Sequence, residues 1–375
     1  MNRYKLISII LFLYLSTILA SSIGPAMITT QVTQVKIGID GLTHAHVHGL
    51  LSNIGKANSP MTIVGIAESN KELAMRLSKQ YGFDINIVYN TIEEMIEATN
   101  PQGVMAFNSI YAHLSTVEAC APKGIHVMVE KPLAVNSEHA QKMATLSRQH
   151  KILLLTNYET TWYASNHKAY EKAQDKSTIG DIRKVIVCDG HEGPKEIGCS
   201  SEFLDWLCDP VLNGGGAVVD FGCYGANLMT WLMKNQRPTS VSATLQQMKP
   251  DIYPNIDDEA TIILTYPKAQ AIIQASWNWP FSRKDIEIYG ANGYVKAPDD
   301  NNIIYRPSKS QKEELLPCSH MHEPYDNPFS YFAAAIRGDI TVDKSELSSL
   351  ENNMIVVEIL DAAKQSAKTG KVINF

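Results

Sequence analysis

Residue types that could do chemistry at a carbinol stand at two places in the chain. Val127-Met128-Val129-Glu130-Lys131-Pro132 sets an acid and a base directly after a short apolar run. The C-terminal end of a strand is where ligands sit in open α/β sheets. Pro132 biases Lys131 out of the helical region, which presents its side chain at the strand tip. Further on, Asn213-Gly214-Gly215-Gly216-Ala217 leads into Asp220-Phe221-Gly222-Cys223-Tyr224-Gly225. On a helix, Asp220 and Tyr224 are four apart and share a face. Lys131, Asp220 and Tyr224 together can bind a sugar hydroxyl and take its proton. Tyrosine is a poor base at its ordinary pKa of about 10. A lysine and an oxidised nicotinamide beside it, both positive, would lower that value. The same residues also fit a surface loop at Glu130-Lys131-Pro132 and a core tyrosine on a helix.

The elements that must position these groups read clearly in the first half. Short apolar strands are expected at 34–40, 61–67, 86–89, 103–107, 126–129 and 152–156. Helices are expected between them, including 70–81, 113–120 and 137–150, with Thr91 and Glu94 in capping-box spacing at the start of another. Strands alternating with helices indicate a parallel, doubly wound sheet. After about residue 157, strands at 184–188, 240–245, 260–266, 271–277, 285–289 and 294–297 are separated in several places only by tight turns. That pattern predicts an antiparallel sheet. A helix at 217–234 sits among them, and 345–369 reads as a long helix followed by a short strand at 372–373.

The first strand ends in the turn Gly41-Leu42-Thr43-His44-Ala45-His46, and the second ends in the acid Glu68. A strand, a glycine turn, a helix, a second strand and a terminal acid form the dinucleotide-binding βαβ unit. Against GxGxxG only the first glycine is present; Thr43 and His46 replace the other two. Glu68 is placed to accept hydrogen bonds from ribose hydroxyls and to repel a 2′-phosphate, favouring NAD over NADP; a solvated strand-end acid is its other reading. His44, His46 and His48 alternate, and His320 and His322 form a second pair. Neither group brings an obvious carboxylate and cysteine set, so no metal is expected. His44 and its neighbours are read instead as polar groups near the phosphates or as helix caps.

Composition narrows the class. The chain has 375 residues, 45% of them hydrophobic and 19% charged, and a formal net charge of −6. That length suggests two or three domains, and the charge gives no basic field for nucleic acid. Six scattered cysteines without a CxxC pair argue against a disulfide scaffold and a cysteine zinc site. Residues 1–22 combine Arg3 and Lys5, the apolar run 6–19 and Ala20-Ser21-Ser22, which is signal-peptide architecture and short for a membrane span. The mature protein is therefore expected outside the cytoplasm, in the periplasm or medium, without stable membrane insertion.

Taken together these pieces resemble the Gfo/Idh/MocA oxidoreductase family. The resemblance rests on the βαβ start, Asn108-Ser109-Ile110-Tyr111-Ala112-His113, Glu130-Lys131-Pro132, and the Gly214 to Tyr224 stretch. Asp257-Asp258, Gly290-Ala291-Asn292-Gly293 and the C-terminal helix also match. It implies an α/β fold with a Rossmann domain at 33–156 and a second α/β domain with an open, mainly antiparallel sheet at 157–345. A terminal helix and strand at 346–375 would pack back on the first domain. It implies bound NAD, a carbohydrate substrate and a homo-oligomer, dimer or tetramer. By position it gives Lys131 the reacting hydroxyl, Asp220 a substrate contact and Tyr224 the acid/base place. Gly41, Thr43, Glu68, Asn108, His113, Glu130 and Asn157 fall at cofactor contacts. His191 and Glu192, after a strand beside the pocket, are candidate substrate contacts. The expected activity is oxidation of a sugar CH–OH with tightly held NAD. The alternatives are NAD-dependent glycoside hydrolysis through a transient 3-keto sugar, and a non-catalytic sugar-binding protein on the same fold.

Overall fold

Two sheets organise residues 33–56 and 59–375, which the computed structural model describes. The signal-like segment 1–22 lies outside the described residues. The first sheet contains β1 (Val35–Asp40), β2 (Met61–Ala67), β3 (Val88–Tyr89), β4 (Gly103–Ala106), β5 (His126–Glu130) and β6 (Leu154–Asn157). Its order is β3-β2-β1-β4-β5-β6 and every pair is parallel. The helices between are α1 (Val47–Leu51), α2 (Lys71–Tyr81), α3 (Ile92–Thr99), α4 (His113–Cys120) and α5 (Ser137–His150). They cover the sheet, so β4 and β5 are almost continuously buried rather than alternating. Helix starts follow their caps: Asn70, Thr91 and Asn136 each accept a backbone N–H from the first turn. Glu94 completes its box on the Asn90 N–H, one residue earlier than the standard pattern.

The second half adds α6 (Ala164–Gln174), β7 (Ile182–Gly190), α7 (Ser201–Leu207), α8 (Ala217–Asp220), α9 (Gly222–Leu232) and β8 (Ser240–Gln246). It continues through β9 (Glu259–Thr265), β10 (Gln270–Ser276), β11 (Arg283–Gly290), β12 (Tyr294–Ala297), β13 (Asn302–Arg306) and β14 (Glu314–Pro317). Then come α10 (Pro328–Arg337), α11 (Leu350–Thr369) and β15 (Ile373–Asn374). The nine-stranded sheet runs β14-β13-β12-β11-β7-β10-β9-β8-β15. Only the β7–β10 pair is parallel, so the sheet is mainly antiparallel as expected. One face packs on α6, α9 and α11; the other leaves Ile186, Ile263 and Ile272 half-buried.

Three expectations are corrected. The helix expected at 217–234 is two helices broken at Phe221. The Asp220 carbonyl accepts from the Lys131 ammonium at 3.0 Å, while the Tyr224 N–H turns to the Phe221 carbonyl at 3.1 Å. The tail helix starts at Leu350 behind its Ser349 cap, not at 345. Its strand does not return to the first sheet: β15 pairs with β8 at the edge of the second. The element that does return is α10, whose Phe332 and Ile336 lie against Gly103 in β4. Helix α11 packs on both α9 and α5. A buried amide network locks α11 to α9: Asn227 donates to the Leu347 carbonyl at 2.8 Å and to Asn352 at 2.9 Å.

Candidate active site

The turn after β1 is built around a glycine. Gly41 has φ +82°, and a Cβ there would lie 2.7 Å from Asn108 Cβ, so both conformation and space exclude a side chain. Glu68, at the tip of β2, accepts from the Leu42 N–H at 2.9 Å and from the Asn70 N–H at 2.8 Å. Asn108 donates to Asp40 at 2.9 Å, and its Oδ1 is buried without a partner. Burial raises the Asp40 carboxyl to about 6 despite that bond and one from Thr116. His113 is fully buried. Its Nδ1 bonds the Leu133 carbonyl at 3.2 Å, Nε2 has no partner, and burial lowers its pKa to about 4. A neutral ring with Nδ1–H presents a free lone pair at Nε2.

The two departures from a glycine turn have structural uses. The Thr43 hydroxyl accepts the Trp206 indole N–H at 3.1 Å, and His44 stacks on that indole with centroids 5.8 Å apart. Helix α7, from the second half of the chain, thus lies over the dinucleotide turn. His46 precedes α1 without capping it by its side chain; its Nδ1 instead meets Glu130 Oε2 at 2.9 Å. Asn157 donates to Glu130 Oε1 at 2.8 Å and accepts from Trp162 at 3.0 Å. Burial opposes the Glu130 charge, but His46, His44 and the Asn157 bond outweigh it and bring the carboxyl to about 2.

His44, His46 and Glu130 hold donor atoms within 4.8 Å of one another, which the sequence did not suggest because the carboxylate comes from another strand. The protonation pattern decides how to read the cluster. The His46 backbone N–H donates to His44 Nδ1 at 3.1 Å, so a neutral His44 carries its proton on Nε2 and turns N–H, not a lone pair, toward Glu130. Burial keeps that ring neutral. As arranged, the trio is a hydrogen-bonded cluster.

Lys131 and Asp220 form a buried ion pair, 6% and 4% exposed. The other Asp220 oxygen accepts the Trp277 indole N–H at 2.9 Å. Burial works against the Lys131 charge, but Asp220 prevails and the lysine pKa is raised; Asp220 is correspondingly lowered. Asp257 fixes this arrangement from below. Its carboxylate accepts from Gly216 N at 2.8 Å and Val218 N at 2.7 Å, capping the short helix that ends at Asp220. The Lys131 ammonium lies 5.2 Å from the centre of the Tyr224 ring, and that of Lys284 lies 5.1 Å from it. Here the expectation for Tyr224 is overturned. Burial, with Glu159, Cys223 and Asp220 nearby, pushes the phenol well above its ordinary value. Tyr224 is a proton donor in this setting, not an activated base.

Two family profiles match the chain. One described as an oxidoreductase family with an NAD-binding Rossmann fold matches residues 35–158, and one described as the GFO/IDH/MocA C-terminal domain matches 167–296. The chain belongs to the Gfo/Idh/MocA family. A trans-1,2-dihydrobenzene-1,2-diol dehydrogenase of Xenopus tropicalis is 24% identical over 319 residues, 81% of this chain and 89% of the relative. A D-xylose 1-dehydrogenase [NADP(+)] of Haloarcula marismortui is 21% identical, covering 72% and 75%. Among solved structures, an inositol dehydrogenase homolog of Azotobacter vinelandii complexed with NADH and myo-inositol superposes with a TM-score of 0.77 at 17% identity, over 92% of this chain and 99% of that one. An aldose–aldose oxidoreductase of Caulobacter crescentus gives 0.76 at 18%, over 92% and 100%. These similarities show the fold. NAD is the cofactor of this Gfo/Idh/MocA domain, and the residues present fit it. Gly41 leaves the turn bare, Glu68 retains acceptor capacity beyond its two N–H partners, and Asn108 Oδ1 and His113 Nε2 are buried acceptors without partners.

Most predicted residues of this Gfo/Idh/MocA site are brought together. Lys131, Asp220 and Tyr224 form one cluster; His44, Glu130 and Asn157 form the next, with Thr43 at its edge. His191 is half-buried with its ring 5.0 Å from that of Phe221. Its Nδ1 accepts from the Gly193 N–H at 2.9 Å, so the neutral ring offers Nε2–H. Glu192 is held through its carbonyl by Lys249 at 2.6 Å, and its carboxylate has no hydrogen-bond partner among the described residues. Sequence reasoning passed over Asp189, Glu159, Lys284 and Trp206. Asp189 is 1% exposed and neither oxygen has a hydrogen-bond partner. Burial raises its carboxyl well above the usual range, and Lys284 offsets only part of this. The signal was available: Asp189 falls on the buried alternation of Val185 and Val187, directly before the Gly190-His191 turn. Lys284 stands opposite it on β11 and pairs with Glu159.

Proposed function

We propose that the protein oxidises and reduces the CH–OH group of a sugar or sugar derivative, with NAD held between turnovers. The observation that carries this is the buried Lys131–Asp220 pair beneath the Tyr224 ring, at the C-terminal end of β5. NAD, when bound, supplies hydride-transfer chemistry. Lys131, kept positive by Asp220, holds and polarises the reacting oxygen. Tyr224, kept protonated by burial, hydrogen-bonds that oxygen and delivers the proton in the reducing direction. Asp220, braced by Trp277, orients the ammonium. His46 and Asn157 keep Glu130 ionised beside it.

Retention of the cofactor is supported by α7, whose Trp206 bonds Thr43 over the turn, and by the Arg76–Glu202 contact at 2.7 Å that ties α7 to α2. Export is proposed from the pattern of residues 1–22. Retention and export suit each other, because a protein outside the cytoplasm meets no large NAD pool and would recycle its cofactor on a second substrate. The half-buried isoleucines on the open face of the second sheet support assembly into a homo-oligomer, which light scattering would measure.

The deciding experiment denatures the purified protein, assays released NAD(H) and NADP(H), and then follows cofactor reduction across a panel of sugars and polyols. Near-stoichiometric NAD with reduction by a sugar, lost in Tyr224→Phe, is expected. No bound or added NAD and no turnover would leave a sugar-binding protein. A second reading, net glycoside hydrolysis through a transient 3-keto sugar, draws support from Asp189, a buried protonated acid able to protonate a leaving group. Release from aryl glycosides without added reductant would favour it.

A further inference from the structure

A cavity of about 450 Å³ lies outside the site described above. Trp162, Trp231, Tyr325 and Tyr331 wall it, with Met321 and Leu347. Trp162 belongs to both regions: one side lines the cavity, while its indole N–H reaches Asn157 at 3.0 Å. Two hydroxyls on the lining have no hydrogen-bond partner, Thr161 Oγ1 and Ser348 Oγ. Thr161 is 7% exposed and Ser348 is 1% exposed. A buried hydroxyl left unpaired costs on the order of 1–3 kcal/mol, so both await a partner that the folded chain does not supply.

The charge around the cavity is already spent. Glu346 accepts the Tyr331 hydroxyl and the Asp343 N–H at 3.0 Å. His167 bonds the Thr161 carbonyl at 2.8 Å, and burial lowers its pKa, leaving it neutral. An ion entering here would be desolvated without a counter-charge. Aromatic walls offer stacking and edge contacts to a flat or chair-shaped ring. The volume exceeds the roughly 150 Å³ that accommodates benzene, leaving room for a substituted single ring. A hexose carries about five hydroxyls against two free partners, so several would be buried unpaired, each at the cost just given.

We propose that this cavity binds a small uncharged ring compound with an apolar body and one or two hydroxyls, of the phenol and catechol class. The ring lies against Trp162 and Trp231 and its hydroxyls meet Thr161 and Ser348. The test is calorimetric titration of the full protein with catechol, and separately with glucose. Saturable one-site catechol binding is expected, undisturbed by glucose. Ser348→Ala and Thr161→Val should each weaken it by about threefold to tenfold, the value of one neutral hydrogen bond. Either variant suffices if the other fails to fold. Absence of binding overturns the proposal, as does binding indifferent to both substitutions. Displacement by glucose, or loss of catechol binding only in Lys131→Met, places the ligand in the catalytic cleft and also overturns it.

Discussion

Removing the negative member of the buried pair gives the sharpest test of how the site is held. Asp220→Asn keeps shape and the Trp277 hydrogen bond but leaves the Lys131 ammonium buried with one carbonyl, that of residue 220, as its remaining anchor. Breaking a buried pair on one side costs about 3–5 kcal/mol, because an uncompensated charge remains. Replacing both partners by apolar groups of similar volume is often close to neutral. Lys131→Met with Asp220→Leu should therefore be more stable than Asp220→Asn, although inactive. Urea unfolding followed by tryptophan fluorescence measures this. The pH response adds a second reading. In the native pair Lys131 is raised and Asp220 lowered. The lysine contribution is complete below its unfolded value of about 10.4 and lost as pH rises through the folded value. The aspartate contribution is present above about 3.9 and lost as pH falls. Between those limits the pair adds no pH dependence. In Asp220→Asn, burial lowers the lysine instead, so stability should climb as pH rises toward 10. A loss below about 1 kcal/mol, additive single and double variants, or a flat pH response in Asp220→Asn would refute the reasoning.

Glu130 should govern acid stability. Its folded pKa of about 2 lies below an unfolded value near 4.3, so it contributes up to about 3 kcal/mol above pH 4.3 that is lost as pH falls toward 2. Glu130→Gln should flatten that acid limb in urea titrations from pH 2 to 6. Gly41→Ala forces a side chain into φ +82° against Asn108; a destabilisation of about 1–3 kcal/mol and loss of co-purifying NAD are expected, and unchanged NAD content would count against the turn as its seat. Trp206→Phe keeps the ring but removes the bond to Thr43. NAD release, timed by stopped flow, should speed up by about twofold to tenfold, and an unchanged rate would remove α7 from cofactor retention.

Local signals were legible where a short stretch of chain contains its own cause. Asn70, Thr91 and Asn136 cap helices within three residues, and the apolar runs of β1, β2, β4 and β5 declare strands without help from the rest of the chain. Asp257 could be quoted as a motif, yet its use as the cap of α8, about forty residues earlier in the chain, could not be read. The same holds for the break at Phe221. Apolar positions on both sides fit one helix, and the ending is imposed by an ammonium 89 residues away that takes the Asp220 carbonyl. Glu130 joins His46 across 84 residues, so the histidines looked unaccompanied. Tyr224 shows the same limit in electrostatics. Its lysine neighbours were foreseen, but burial, which depends on everything packed around it, outweighs them.

The three acids of the site fall into different states, and this sets what the pocket can recognise. Glu130 is ionised and committed to His46 and Asn157; Asp220 is ionised and committed to Lys131 and Trp277. Lys284 is committed to Glu159. The two lysines are thus each matched by a carboxylate, and no unpaired cation among them is left to attract an acidic substrate. What stays free is a set of hydrogen-bond donors: the protonated Tyr224, the protonated Asp189 and the Nε2–H of His191. Donors arrayed in a water-poor site complement oxygen atoms that gain electron density, such as a carbonyl on its way to an alkoxide. That polarity favours uncharged polyhydroxy compounds over sugar acids. It predicts that a uronic acid will turn over more slowly than its parent sugar, because its carboxylate must enter a site whose positive charges are already neutralised.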